Sequence, residues 1–268
     1  IKTAGKRVFL GGNAMGISTL ALLPKIKKGD YVVLELDSWQ LQGFHNEKIS
    51  PQIAVFTNFM MDHMNYYKSN VKKYFYDKSA IFAYQAKNDY LIAPKSVRKY
   101  LRGKIKSKII IPKPLPKKWK LSIMGKHNED NATCAVTAAR TLRISPKYIQ
   151  QALALFKGVP GRLQFLHTVR GVKIYSDTTA TTPDATLAAL RALGDLRFKN
   201  EDLRIHKSKI LNHKSNKRTV LIMGGADKGL DMSKLLKEIP KHCKALIVLP
   251  GTGTNKLSIK YKVLSIKY

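Results

Sequence analysis

Three positions in the first half of the chain carry side chains that could do chemistry. Glu35 interrupts the apolar run Val32-Val33-Leu34-Glu35-Leu36. An ionised carboxylate inside such a strand is costly unless a cation or strong donors meet it, and a metal ion would suffice. Asp62-His63 follows the next apolar strand, which places it at the carboxyl edge of a parallel sheet, where open α/β folds bind ligands. Lys78 lies on the helix that comes after. Taken singly, each has a plain alternative: Glu35 at a strand edge, His63 as a loop donor, Lys78 as surface charge. Further along, Arg162 follows Gly158-Val159-Pro160-Gly161, Asp177 ends a strand, and Lys228 leaves another strand through Gly224-Gly225-Ala226-Asp227-Lys228-Gly229. That glycine stretch reads as a turn. Asn128 reads as a helix N-cap.

The elements that must position these residues alternate between strand and helix. Short apolar or β-branched runs bounded by turn residues predict strands at 7–10, 31–36, 53–57, 90–93 and 108–111. Helical apolar spacing covers 70–85 and 128–142. The 31–36 run is apolar on both faces, as a buried parallel strand is. A second unit begins near Gly158 with a strand pair at 162–168 and 171–176. Thr182-Pro183 then opens a helix with an N-cap and a proline at its first position, and Gly194 marks its end. Strands at 219–223 and 245–249, both read as buried, flank a helical stretch at 232–239. The fold class is therefore α/β, with a mainly parallel-sheet central domain at 1–158 and a Rossmann-like domain at 159–268. Residues 1–5 read as the last turn of a helix capped by Gly5, and a weak strand at 262–266 runs into the terminus, so both domains are expected to be incomplete.

The 268 residues, 44% hydrophobic and 25% charged, suit two globular domains. The charge balance is unusual. Lys and Arg total 49 against 17 Asp and Glu, a formal +32, so polyanionic partners must be weighed. Residues 95–120 hold eleven Lys or Arg and no acid, and 204–218 form a second basic insertion. No aromatic stacking platform or known nucleic-acid module accompanies them, which leaves a basic nucleic-acid-binding chain as a rival reading from a different class. Cys134 and Cys243 lack metal or disulfide spacing, as suits a reducing cytosol. No apolar run reaches the roughly 18 residues of a membrane span. The expected state is a cytoplasmic monomer without a membrane partner.

Six ordered motifs then resemble one family. They are Glu35-Leu36-Asp37-Ser38-Trp39-Gln40-Leu41, Asn58 with Asp62-His63, Tyr76-Asp77-Lys78, His127-Asn128 with Asn131, Gly158-Val159-Pro160-Gly161-Arg162, and Asp177-Thr178-Thr179-Ala180-Thr181. Their order resembles that of the Mur ligases, especially the members that add D-glutamate to UDP-N-acetylmuramoyl-L-alanine. The resemblance implies an ATP-dependent amide ligase of peptidoglycan-precursor synthesis that works through an acyl phosphate and requires Mg²⁺. It implies Glu35, His63 and a carbamylated Lys78 as metal ligands, with Lys78, His63 and Arg162 serving catalysis. It places ATP against His127, Asn128, Asn131, Arg162 and Asp177, and the other substrates against Asn13, Ser38, Gln40, Thr179, Thr181 and Lys228.

The chain departs from that pattern in three respects. The phosphate loop G-x-x-x-x-G-K-[ST] does not occur, nor does the N-terminal domain that grips the UDP moiety, nor the last part of the C-terminal domain. Thr179 and Gly161 stand where many relatives have Lys and His. Other amino-acid-adding Mur ligases and folylpolyglutamate synthases remain alternatives within the family, and a non-catalytic remnant remains one outside it.

Overall fold

Parallel pairing dominates the computed structural model, which describes residues 1–254 except 15, 17, 102, 104 and 200–217. Strand β1 (Val8–Gly12) pairs in parallel with β2 (Tyr31–Glu35), in a register running from Val8 opposite Tyr31 to Gly12 opposite Glu35. Strands β3 (Ile53–Val55), β4 (Tyr90–Ile92) and β5 (Lys108–Ile110) form a second parallel sheet in that order. Strands β6 (Gln164–Val169) and β7 (Val172–Ser176) make an antiparallel hairpin. Its turn residues Arg170 and Gly171 both have positive φ, 47° and 78°, the twist a two-residue hairpin requires. Strands β8 (Thr219–Met223) and β9 (Cys243–Val248) are again parallel. The helices are α1 (Ser38–Asn46), α2 (Val71–Ala83), α3 (Lys95–Arg98), α4 (Lys126–Thr141), α5 (Pro146–Leu155), α6 (Pro183–Lys199) and α7 (Ser233–His242).

The chain divides into two compact units. The first holds residues 1–59, 70–123 and 128–157, and the second holds 60–69, 124–127 and the chain from 158 onward. In the first unit, Asn70 caps α2 by accepting the Lys73 N–H at 3.0 Å, and Asp37 with Gln40 forms a capping box at the start of α1. Ala54, Phe56, Leu91, Ala93, Val97 and Phe82 form one core, while Ala132, Val136, Ile144, Ile149 and Leu153 join α4 to α5. In the second, Leu187 and Leu190 of α6 meet Leu235 and Ile239 of α7.

One buried amide ties the three-stranded sheet to α2. Gln85 follows that helix, and its Nε2 donates to Pro51 O at 2.8 Å and Tyr90 O at 2.9 Å. Its Oε1 accepts the Ser107 hydroxyl at 2.8 Å. The approaches to β3, β4 and β5 thus share one side chain with every polar atom satisfied, as burial demands.

Several sequence expectations are corrected. The reading of 31–36 and 219–223 as buried strands does not hold, because Val32, Val33, Val220 and Ile222 are 42%, 44%, 50% and 60% exposed. Each strand lies in a two-stranded pair; Val32 and Val33 point to opposite faces of β2, so neither face is fully covered, whereas in β8 the open face is the one carrying Val220 and Ile222. Glu35 is likewise exposed at the end of β2, so its carboxylate is solvated and carries no burial cost. Gly194 does not end a helix, since α6 continues to Lys199. The cost of an interior glycine, about 1 kcal/mol, is outweighed by the packing of Leu187, Ala189, Leu190 and Ala192. Asn128 is not an N-cap, because α4 begins at Lys126, where Gly125 at φ 97° turns the chain into the helix. The strand expected at 262–266 and nearly all of the 204–218 insertion lie outside the described residues.

Gln85→Leu keeps the volume but takes a donor from two partly buried carbonyls and leaves the Ser107 hydroxyl without its acceptor. At about 1–3 kcal/mol for each unsatisfied group, partly relieved by water, the expected loss is about 2–4 kcal/mol. A urea-unfolding midpoint equal to that of the parent chain would contradict this.

Candidate active site

In the first unit the carboxyl ends of β1 and β2 lie side by side. The Asn13 N–H donates to Glu35 O at 2.7 Å. A Cβ on Gly12 would come within 2.0 Å of the same carbonyl, so this approach requires glycine, which also accommodates its φ of 80°. Beyond Glu35 the chain turns through Asp37 into α1. Gln40 is drawn into the capping box, its Oε1 accepting the Asp37 N–H at 3.2 Å. Ser38 is buried, and its hydroxyl has no hydrogen-bond partner among the described residues.

Lys78 sits half-buried on α2 with its ammonium 5.4 Å from the centre of the Tyr74 ring, a cation–π contact. Its neighbours lock α2 to α1. Buried Asp77 accepts from Gln42 Nε2 at 2.7 Å. The His45 ring stacks on Tyr76 at 4.1 Å and bonds the Tyr84 hydroxyl at 2.8 Å and Tyr76 O at 2.6 Å.

In the second unit the Arg162 guanidinium donates to Thr179 O. The Thr179 hydroxyl and N–H both donate to Gly161 O, at 2.7 and 3.1 Å, while Asp177 Oδ1 accepts the Leu163 N–H at 2.8 Å. Arg162, Asp177 and Thr179 therefore belong to one stapled turn, with exposed Thr181 between it and the start of α6. Burial raises the Asp177 pKa above the ordinary carboxylate value, and the Leu163 N–H, Arg162 and His127 counteract it only in part. Asn128 and Asn131 lie in the first two turns of α4.

A second constellation forms around Lys228. Its Nζ donates to Asp62 Oδ1 at 3.0 Å. Asp62 is held in turn by the His63 N–H at 2.8 Å, and its Oδ2 lies 3.4 Å from His63 Nε2. Sequence reading picked out Asp62-His63 and Lys228 separately but not their meeting, because 166 residues separate the partners.

Exposed Glu35, which makes no ion pair within the described residues, offers the oxygen donor that a hard cation such as Mg²⁺ prefers. No group of three or more His, Cys, Asp or Glu with metal-binding geometry occurs among the described residues. A set that counts a modified lysine as its third ligand would contain no such group. Both cysteines are buried, and burial pushes their thiols above the usual value, which leaves them poor nucleophiles.

The Asp177 shift has a defined sign. With its folded pKa raised, the folded state binds more protons than the unfolded one from about pH 3.9 upward, so this group's contribution to stability falls as pH rises through that window and is flat above it. Asp177→Asn keeps an oxygen for the Leu163 N–H and removes the charge. Urea titrations at pH 4 and pH 7 should show the variant gaining on the parent between them. A variant that instead loses ground towards neutral pH would contradict the assignment.

Comparison with known proteins follows the same outline. Residues 2–111 match the family model described as Mur ligase middle domain. The UDP-N-acetylmuramoylalanine--D-glutamate ligase of Borreliella afzelii (strain PKo) is 32% identical over 100% of this chain, which spans 59% of that relative. Among solved structures, MurF from Acinetobacter baumannii superposes with a TM-score of 0.66 at 16% identity, covering 97% of this chain and 67% of its own. The MurF ligase from Thermotoga maritima in complex with ADP gives 0.64 at 18%, covering 97% and 69%. These two show the shared fold. Residues 2–111 thus carry a Mur ligase middle domain, and the whole chain aligns at 32% identity with 59% of the Borreliella afzelii relative, so the family that the chain resembles along its length is the Mur ligases.

Proposed function

We propose that this chain carries the central (1–158) and C-terminal (159–268) machinery of a cytoplasmic, ATP-dependent amide ligase that adds D-glutamate to UDP-N-acetylmuramoyl-L-alanine, supplying peptidoglycan precursor for wall growth and division. One observation supports the reading: the whole chain aligns at 32% identity with 59% of a D-glutamate ligase. A substrate carboxylate oxygen attacks the γ-phosphorus of ATP, ADP leaves, and an acyl phosphate results. The amine of D-glutamate then attacks the acyl carbon, phosphate departs and the nitrogen loses a proton.

Each residue supplies one part of that sequence. Glu35, His63 and a carbamylated Lys78 would hold Mg²⁺, which when bound neutralises charge developing on the phosphoryl and acyl oxygens. The contacts from α1 to Asp77 and Tyr76 keep Lys78 in place. The forked Arg162 guanidinium keeps donors for a γ-phosphate beyond the one it gives Thr179. His127, Asn128, Asn131 and Asp177 take the rest of the nucleotide, Asn13, Ser38 and Gln40 the UDP-muramoyl substrate, and Thr179, Thr181 and Lys228 the D-glutamate. The +32 charge favours the rival reading, a nucleic-acid-binding chain, and steeply salt-dependent DNA affinity without any nucleotide binding would establish that rival instead.

The backbone donors of a phosphate loop are missing from the sequence, and losing even one preorganised donor commonly costs about 10²-fold in rate. Phosphate release by the purified 268-residue chain with ATP, UDP-N-acetylmuramoyl-L-alanine and D-glutamate should therefore stay near background. Joined to the N-terminal part of the Borreliella afzelii relative, the chain should turn over. In that protein Arg162→Ala should lower kcat by about 10²-fold, whereas Lys228→Ala should mainly raise the KM for D-glutamate. Unchanged kcat in a folded Arg162→Ala protein would reduce Arg162 to a tie between turns.

A further inference from the structure

Lys228 does not stand alone on its turn. The loop that carries it is braced from the loop after β9: the Gly253 N–H donates to Gly225 O at 3.0 Å, and the Asp227 N–H donates to Thr252 Oγ1 at 2.9 Å. A Cβ on Gly251 would lie 2.6 Å from Gly225 O, so the two loops touch backbone to backbone. Opposite this braced turn stands Asp62, its orientation fixed by the His63 N–H. The resulting pair is neither buried nor fully solvated, with side chains 27% and 22% exposed for Lys228 and Asp62. A lysine–aspartate pair largely withdrawn from water gives back in desolvation much of what it gains in attraction, so stability alone does not account for the arrangement.

The pair also has spare capacity. An ammonium has three donors, and the bond to Asp62 uses one. A carboxylate has about four acceptor sites, and Asp62 gives one oxygen to Lys228 and the His63 N–H while the other stays near the His63 ring. A cation and an anion fixed 3.0 Å apart form a dipole whose complement is another such dipole reversed, and a free α-amino acid is one, with its ammonium and carboxylate on the same carbon.

We infer that Asp62 is a specificity residue that receives the α-ammonium group of the incoming amino acid while Lys228 takes its carboxylate, so that the pair recognises a zwitterion rather than a carboxylate alone. This rests on the reading of Lys228 as a D-glutamate contact. It assigns Asp62 a role separate from metal binding by His63, and it explains why an acid stands against a lysine that must attract an anion: the acid discriminates against carboxylates lacking an amine.

The test is ligand titration of the 268-residue chain followed by NMR, with D-glutamate and with glutarate, which keeps both carboxylates and lacks the amine. The parent chain should bind D-glutamate about tenfold more tightly than glutarate, the value of one charge-assisted hydrogen bond at the low end of its range. Asp62→Asn should abolish that preference and leave glutarate binding equal or stronger, whereas Lys228→Met should weaken both ligands. Equal affinity of the parent chain for the two ligands overturns the proposal without any variant. So does an Asp62→Asn variant that weakens both equally, which would make Asp62 a positioning group for Lys228. D-glutamate binding that is absent, or insensitive to Lys228→Met, overturns the assignment of Lys228 itself, and the zwitterion proposal with it.

Discussion

Parallel pairing is the constraint from which the candidate site follows. Strands that run the same way cannot be joined by a tight hairpin, so each return passes through a crossover, and within each sheet the chain leaves every strand on the same side. Among the described residues three of the four sheets obey this, and β6–β7 is a hairpin. The residues that leave β1 and β2, Asn13 and Glu35 with Asp37, are thereby neighbours despite the intervening turns. The residues that leave β8 and β9, at 224–229 and 251–254, meet by the same logic in the second unit. Glycine appears where those exits touch: at Gly12 against Glu35 O, and at Gly251 against Gly225 O.

Polar side chains determine where the connecting loops come to rest. Gln85 gathers the approaches to β3, β4 and β5, Asp177 holds the Leu163 N–H, and Gln42 reaches Asp77 across α1 and α2. Each bond is worth only about 1 kcal/mol net, yet leaving a buried partner unmade costs more, so these contacts select one loop arrangement more than they add stability. The site residues sit beside them: Lys78 follows Asp77, and Arg162 precedes Leu163.

The large positive charge gives the acids unusual weight. Only 17 Asp and Glu face 49 Lys and Arg, and several of those acids are committed to a base, as Asp30 is to Arg7, Asp184 to Lys234 and Glu238 to Lys241. Such exposed pairs contribute little individually. Against that background an acid that stays unpaired at a strand end, as Glu35 does among the described residues, or one oriented by its own backbone towards a distant lysine, as Asp62 is, reflects placement more than general neutralisation.

What the sequence determined by itself was local: the strands that the described residues show in both units, the hairpin, the Thr182 cap, the αL glycine at position 5, and the order of motifs that marks the family. Those signals live in period, turn chemistry and spacing, which a chain carries before it folds. Tertiary structure alone decided that Val32, Val33, Val220 and Ile222 face outward, because an apolar run cannot record whether a second layer exists to cover it. It decided that α6 runs through Gly194, where packing outweighs an intrinsic preference. It also brought Asp62 to Lys228 across 166 residues. No local pattern encodes that pairing, because it depends on two loops being fixed by bonds to third parties, the His63 backbone on one side and Thr252 and Gly253 on the other.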